Sequence, residues 1–266
     1  MSNESELDTK YQNETESRRL EKRLNERFVK AMATYHLIED DDRILVGLSG
    51  GKDSLLLLEL LAKRAKILHP RFSVEALHVR MENIRYETDT SYLQSFCDTL
   101  GVPLHVKTTH FEVLDESSMI NIQSSIKRKQ KQPCFLCSWM RRKEIFNLAQ
   151  ELGCNKIALG HHQDDILHTA LMNLCFQSRF ASMPARLKMR KMPLTIIRPL
   201  CMIQEQDIKV YAELQGYQKQ QKLCPYETDS HRTAIKHLYE EMERISPEVR
   251  YSIWGALEAD NKLIEE

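Results

Sequence analysis

Leu20, Leu24, Phe28 and Met32 recur every four positions between about Ser17 and Leu37, with Val29 and Tyr35 beside them, which predicts an amphipathic helix. Residues 1–16 are polar and read as a solvated, frayed tail, and the acidic run Glu39 to Asp42 ends the helix. The pattern then changes to short apolar runs alternating with helical periods. Strands are expected at 44–48, 74–79, 104–106, 156–159 and 195–198, and helices at 55–66, 88–100, 138–152, 163–176 and 204–215. That alternation predicts an α/β fold whose parallel sheet is covered on both faces. From about Gln218 the chain is polar, with helical stretches near 230–244 and 247–263, and reads as an appendage without a second sheet. The expected divisions are 1–40, 41–216 and 217–266.

Composition narrows the classes. The chain has 266 residues, 42% of them apolar and 29% charged, enough for a packed core and too ordered a mixture for wholesale disorder. Lys plus Arg equals Asp plus Glu at 38 each, which excludes a globally basic nucleic-acid coat. There is no apolar run of membrane-spanning length, and the polar start of the chain carries no hydrophobic signal region, so a cytoplasmic location is expected. In a reducing compartment, closely spaced members of the seven cysteines point to metal or redox chemistry rather than disulfides.

The first strand runs into Ser49-Gly50-Gly51-Lys52-Asp53-Ser54 and then a Leu-rich helix. Two glycines permit a tight turn and close approach to a ligand. The N–H groups of a helix start favour an anion, and Lys52 and the serines add donors. Asp53 beside a phosphate is repulsive unless a divalent cation lies between them. The bland alternative is a Gly-Gly strand-to-helix turn with a capping serine. The segment is not a Walker A loop. It resembles the SGGxDS signature of the PP-loop ATP pyrophosphatases. That resemblance implies a five-stranded parallel sheet in the order 3-2-1-4-5, ATP with its pyrophosphate in the loop, and transfer of AMP to a substrate oxygen.

Gly160-His161-His162-Gln163-Asp164-Asp165 follows the fourth strand, at the sheet edge where open parallel sheets bind ligands. Adjacent carboxylates there can hold Mg²⁺, or one can cap the helix while the other is solvated. The stretch is similar to the G-H-x-x-D-D motif of PP-loop tRNA-modifying enzymes. The resemblance gives Asp165 a metal or catalytic role, Asp164 a supporting one, and Gly160 and His161 a place beside ATP. His162 and His168 read as structural.

Cys134 and Cys137 form a Cys-x-x-Cys pair after Pro133, and Cys224 lies in a polar stretch before Pro225. Cys97, Cys154, Cys175 and Cys201 read as small core residues. A pair of thiolates can hold a metal, a cluster corner or a redox bond, and three without a fourth fit a [4Fe–4S] cluster with one open iron, zinc remaining an alternative. The order of these motifs, with the stretch from Leu152 to Leu167 and Ile197-Arg198-Pro199-Leu200, resembles the TtcA family of tRNA 2-thiocytidine synthetases over about residues 20–250. Members commonly carry a second cysteine just before the late one, and this chain has Cys224 alone. The resemblance implies ATP, Mg²⁺, a [4Fe–4S] cluster on Cys134, Cys137 and Cys224, and a tRNA cytidine as substrate. It also implies a sulfur donor such as a cysteine desulfurase, and a homodimer is considered. By analogy with 2-thiouridine synthetases, Arg141 stands where a basic residue assists the reaction. A 2-thiouridine or lysidine synthetase, and a non-catalytic Fe–S or zinc RNA-binding sensor, are the rival readings.

Charge is unevenly spread. Ser117 to Lys143 contains no acid and seven basic residues, Lys127, Arg128, Lys129, Lys131, Arg141, Arg142 and Lys143. Ile166 to Gln204 is also acid-free and carries Arg179, Arg186, Lys188, Arg190, Lys191 and Arg198. Two such runs flanking the motifs are expected to face a phosphate backbone.

Overall fold

The structure, a computed structural model, describes residues 2–82, 86–87, 89–110, 133–218, 221–222 and 231–266. Its helices are α1 (Ser2–Thr34), α2 (Lys52–Ala65), α3 (Thr90–Leu100), α4 (Pro133–Glu151), α5 (Gln163–Gln177), α6 (Glu205–Leu214), α7 (His231–Ile245) and α8 (Val249–Ala259). Its strands are β1 (Asp42–Gly47), β2 (Phe72–Met81), β3 (Tyr86–Glu87), β4 (Leu104–Thr109), β5 (Lys156–Ala158), β6 (Arg186–Lys188), β7 (Thr195–Ile197), β8 (Gln221–Lys222) and β9 (Ile264–Glu265).

The main sheet has the order β4-β2-β1-β5-β7-β6-β9. Its first five members are parallel and correspond to the five expected strands in the order 3-2-1-4-5. The expected strand number needs correction, because β6 adds antiparallel to β7 and β9 lies parallel beside β6. Those strands of three and two residues are too short to carry a period of their own. The tail also contributes β8, which pairs antiparallel with β3. β1 lies between β2 and β5, with the chain crossing over in opposite directions on its two sides, so the C-terminal ends of β1 and β5 flank a cleft.

α2 is buried from Ser54 to Ala62 without a solvent face. Its leucines join α1, α6 and the C-terminal helices in one cluster that includes Leu24, Phe28, Ile208, Ile235, Tyr239 and Trp254. Burying each such leucine stabilises the fold by about 1.5–3 kcal/mol. The charged residue within this buried stretch is Glu59, which accepts from Tyr211 Oη at 2.6 Å, Tyr217 Oη at 2.5 Å and Lys63 Nζ at 2.7 Å. Burial opposes its charge, but these donors win and lower its pKa. A second cluster, Leu45, Leu77, Val79, Leu148 and Ile157 among others, fills the opposite face under α4.

The helix at the start of the chain begins at Ser2, not near Ser17. No Pro or Gly interrupts residues 2–34, so nothing local stops it. It is tied to α6 by Arg23 and Arg27 on Asp207, at 2.6 and 3.3 Å. Cys97, Cys154 and Cys201 are buried as expected, whereas Cys175 is exposed near the end of α5. Among the described residues, no helix is long and apolar enough to cross a membrane.

Candidate active site

The loop from Ser49 to Ser54 is held by its own serines. Gly50 has φ 80°, the left-handed region that glycine enters without strain. Its N–H donates to Ser54 Oγ at 3.1 Å, and Ser54 Oγ donates to Gly51 O at 2.9 Å. Ser49 Oγ lies 3.1 Å from Ser54 Oγ and accepts from the Gly51 N–H at 3.3 Å. Gly51 is the N-cap of α2 without a side-chain cap, so the helix start has amide groups to offer an anion. Lys52 Nζ donates to Asp53 at 2.9 and 3.1 Å and to Glu205 Oε1 at 3.4 Å. Burial works against the ammonium, but these two carboxylates raise its pKa, and it stays charged.

The end of β5 comes against this loop through a missing side chain. A Cβ on Gly160 would lie 3.1 Å from the Asp53 carbonyl carbon and from the Ser54 nitrogen, so any other residue would push the two backbones apart by a few tenths of an ångström. His162, not an aspartate, is the N-cap of α5; its N–H donates to Asp165 Oδ2 at 3.1 Å. The Asp165 N–H and Asp164 Oδ2 both approach His162 Nδ1, at 3.4 and 3.6 Å. The carboxylate contact is the one that the surrounding negative charge favours. His162 Nε2 stands 3.4 Å from Asp165 and 4.0 Å from Asp53, so the two carboxylates flank one imidazole edge. Burial disfavours a charged His162, yet Asp164, Asp165 and Asp53 raise its pKa.

Asp164 points away from the loop. It accepts from the Glu205 N–H at 2.7 Å and from Arg250 Nη2 at 2.8 Å, and Arg250 also meets Glu243 at 2.9 Å. Burial would raise the Asp164 pKa, but His162 and Arg250 hold it well below the usual carboxylate range. Asp165 receives the guanidinium of Arg232, from the first turn of α7. One turn on, Lys236 donates to Glu205 at 3.0 Å. The C-terminal helices thus reach both aspartates of the motif. His168 is buried, with its ring against Tyr239.

A cavity of about 540 Å³ opens at this sheet end, a suitable size for a nucleotide. Its lining includes Ser49, Asp53 and Ser54 from the loop, Gly160, His161 and Asp165 after β5, and His78, Arg80 and Arg141. Sequence reasoning passed over His78 and Arg232. His78 is buried, and its Nδ1–H donates to Leu48 O at 2.8 Å, which leaves Nε2 as an acceptor. Burial, with Arg141 and Arg80 nearby, lowers its pKa. A histidine at the end of the apolar run Val74 to Val79 was the available signal. Arg232 gave none, standing in a polar stretch.

Cys134 and Cys137 lie in the first turns of α4 rather than in a loop before it, three positions apart, a spacing that puts two positions on one helix face. Cys137 is half-buried at the edge of the second core cluster. Cys224, Lys127, Arg128, Lys129 and Lys131 lie outside the described residues. The second basic run is less free than its sequence implies. Arg198 is buried, Arg186 meets Glu266 at 2.9 Å and Arg190 meets Glu265 at 3.8 Å. Acids at the far end of the chain fold back onto it. Arg179, Lys188 and Lys191 remain exposed, as do Arg142 and Lys143 on α4.

A strand-loop-helix phosphate site beside a glycine-bearing strand end, on a 3-2-1-4-5 parallel sheet, defines a nucleotide-binding protein of the PP-loop class. The family described as the PP-loop domain matches residues 16–238. The tRNA-cytidine(32) 2-sulfurtransferase of Bordetella avium is 34% identical over 243 residues, covering 91% of this chain and 74% of that protein. The protein of the same name from Marinomonas sp. is 31% identical over 268 residues, covering 98% and 92%. Among solved structures, the U34-tRNA thiolase NcsA of Methanococcus maripaludis with its [4Fe-4S] cluster is similar with a TM-score of 0.66 and 27% identity, over 88% of this chain and 77% of that one. The chain belongs to the tRNA-cytidine(32) 2-sulfurtransferase family of PP-loop proteins.

Proposed function

We propose that this chain uses ATP to replace the C2 oxygen of cytidine 32 in tRNA by sulfur. The observation that carries the reading is the convergence of Asp53 and Asp165 on one imidazole edge, in a cavity bounded by the phosphate loop and by α4, the helix of Cys134 and Cys137.

Ser49, Gly50, Gly51, Lys52 and Ser54 hold the β- and γ-phosphates through loop amides, hydroxyls and the Lys52 ammonium. Asp53 and Asp165 would hold Mg²⁺, their carboxylates converging on one imidazole edge. Among the described residues no group of three or more His, Cys, Asp or Glu is built to cage a metal. Mg²⁺ takes one or two carboxylates with phosphate and water. Bound there, it supplies positive charge to the triphosphate. The cytidine O2 attacks the α-phosphorus and pyrophosphate leaves, so O2 becomes part of an AMP leaving group. Sulfur then forms a bond to C2 and AMP departs with O2, with no net oxidation or reduction. Gly160 and His161 sit where the nucleotide passes, Asp164 fixes the turn, and Arg141 lines the cavity on the α4 side.

Cys134, Cys137 and Cys224 are assigned as ligands of a [4Fe–4S] cluster with one open iron, which when bound supplies hydrosulfide. Two features support the fit. A helix start stabilises thiolates, and Cys134 and Cys137 occupy one. Of the described residues on either side of Cys224, Lys222 pairs with Tyr86 and Arg232 reaches Asp165, which lines the cavity. A cysteine desulfurase is the proposed sulfur source, a homodimer the proposed assembly and the cytoplasm the proposed location.

Mass spectrometry of tRNA nucleosides from a deletion strain tests the reading. Loss of 2-thiocytidine with 2-thiouridine retained is expected. Loss of 2-thiouridine instead would move the chain to the activity of its uridine-thiolating structural relative. With purified protein, Asp53→Asn is expected to fold normally and release no pyrophosphate. Normal release by that variant rejects the metal assignment.

A further inference from the structure

Ile197-Arg198-Pro199-Leu200 has no task in the scheme above. Arg198 leaves the C-terminal end of β7 and is 7% exposed, although it carries a charge. Its Nη1–H donates to Pro184 O at 2.5 Å, and its Nε–H is directed at His161 Nδ1, 3.3 Å away. A guanidinium can only donate. Nδ1 of His161 must therefore carry its lone pair, and the ring proton sits on Nε2. With Nδ1 occupied, Nε2–H is the polar group that the ring has left to offer, and His161 lines the cavity with Ser49, Asp53, Ser54 and Asp165.

We infer that Arg198 is a positioning residue that locks His161 as an Nε2–H donor toward an anionic oxygen of the bound nucleotide. This rests on the reading of the cavity as the ATP site. Four groups act on the ring: Arg198 from the end of β7, Arg232 from α7, and His162 and Asp165 from the start of α5. Burial and the Arg198 charge outweigh the attraction of Asp165 and pull the His161 pKa down to about 4. The donor is thus neutral across the physiological range. It stabilises charge on phosphate oxygen without adding a cation beside Lys52 and without depending on pH. A buried arginine costs desolvation that an apolar residue would not, and this task gives a reason for it.

Nitrogen-15 NMR of protein labelled at histidine tests the lock, with the His161 signals assigned by their loss in His161→Asn. The wild type is expected to hold the Nε2–H form from pH 8 to pH 5.5. Arg198→Met should mix the two tautomers and raise the pKa of the ring, on which burial still acts, whereas Arg198→Lys, still a donor, should keep the lock. With RNA substrate, Arg198→Met should release pyrophosphate about tenfold more slowly, the loss expected of one hydrogen bond to a charged group, with KM for ATP changed less than about threefold. An Nδ1–H tautomer in the wild type, or unchanged His161 signals in Arg198→Met, overturns the inference. If Arg198→Met does not fold, the wild-type tautomer and Arg198→Lys decide it alone. The NMR result does not depend on which nucleoside is thiolated, so failure of the tRNA assignment would be seen separately.

Discussion

Arg250 donates to Asp164 Oδ1 at 2.8 Å across 86 positions of sequence, joining α8 to the second residue of α5. Both side chains are about nine-tenths buried, so neither has water as a substitute partner. Arg250→Met is expected to destabilise the protein by about 3 kcal/mol, because it takes the guanidinium from a buried carboxylate that keeps only the Glu205 N–H and His162 as partners. Thermal unfolding measures this; a loss under 1 kcal/mol would mean that the pair is dispensable. The pH dependence follows in sign. Asp164 is depressed in the folded state, so its contribution is complete above the ordinary Asp value near 4 and declines as pH falls below it. The wild type should lose more stability than Arg250→Met between pH 4 and pH 2.

Gly160→Ala tests the close approach of β5 to the phosphate loop. A methyl group 3.1 Å from the Asp53 and Ser54 backbone forces one segment to move. The expected cost is about 1–3 kcal/mol of stability, as for overpacking, with ATP affinity down by about tenfold. Calorimetric ATP titration provides the check, and wild-type affinity in this variant would rule out a required contact.

For the first basic run, exchange of Lys127, Arg128, Lys129 and Lys131 for glutamine should weaken tRNA binding and flatten its dependence on salt while leaving ATP binding as it was. Parallel salt slopes for variant and wild type would make the run a solvated face. Arg186 and Arg190, already paired with Glu266 and Glu265, should contribute less to that slope than exposed Arg142 and Lys143.

Cys224→Ser should lose iron and sulfide on anaerobic purification and stop thiolation, yet still bind ATP. Serine at Cys97 or Cys201, both fully buried, should cost stability while iron content holds. Full iron in Cys224→Ser would require another cysteine in its place, and exposed Cys175 would be examined first.

The five parallel strands and the two loop motifs were legible because period, glycine placement and strand-end polarity are local signals, whereas the order of those strands followed from the resemblance to the PP-loop pyrophosphatases. β6 and β9 were not, since Arg-Leu-Lys and Ile-Glu become strands only when a sheet edge is offered to them. Arg198 illustrates the same limit. In sequence it belongs to an acid-free run and reads as a phosphate contact, but the turn after β7 buries it against His161 and Pro184. Arg250 and Arg232 reach Asp164 and Asp165 only through the packing of α7 and α8 on α5, which no spacing within the chain encodes.

The burial of α2 from Ser54 to Ala62 has a consequence for selectivity. The amides at its start cannot retreat or fan out around a ligand without dragging leucines through a close-packed interior. Binding therefore costs little ordering of this half of the site, but the loop also cannot adapt. It acts as a fixed gauge, favouring the phosphate chain whose oxygens already match its spacing and discriminating against shorter or branched anions by misfit rather than by charge.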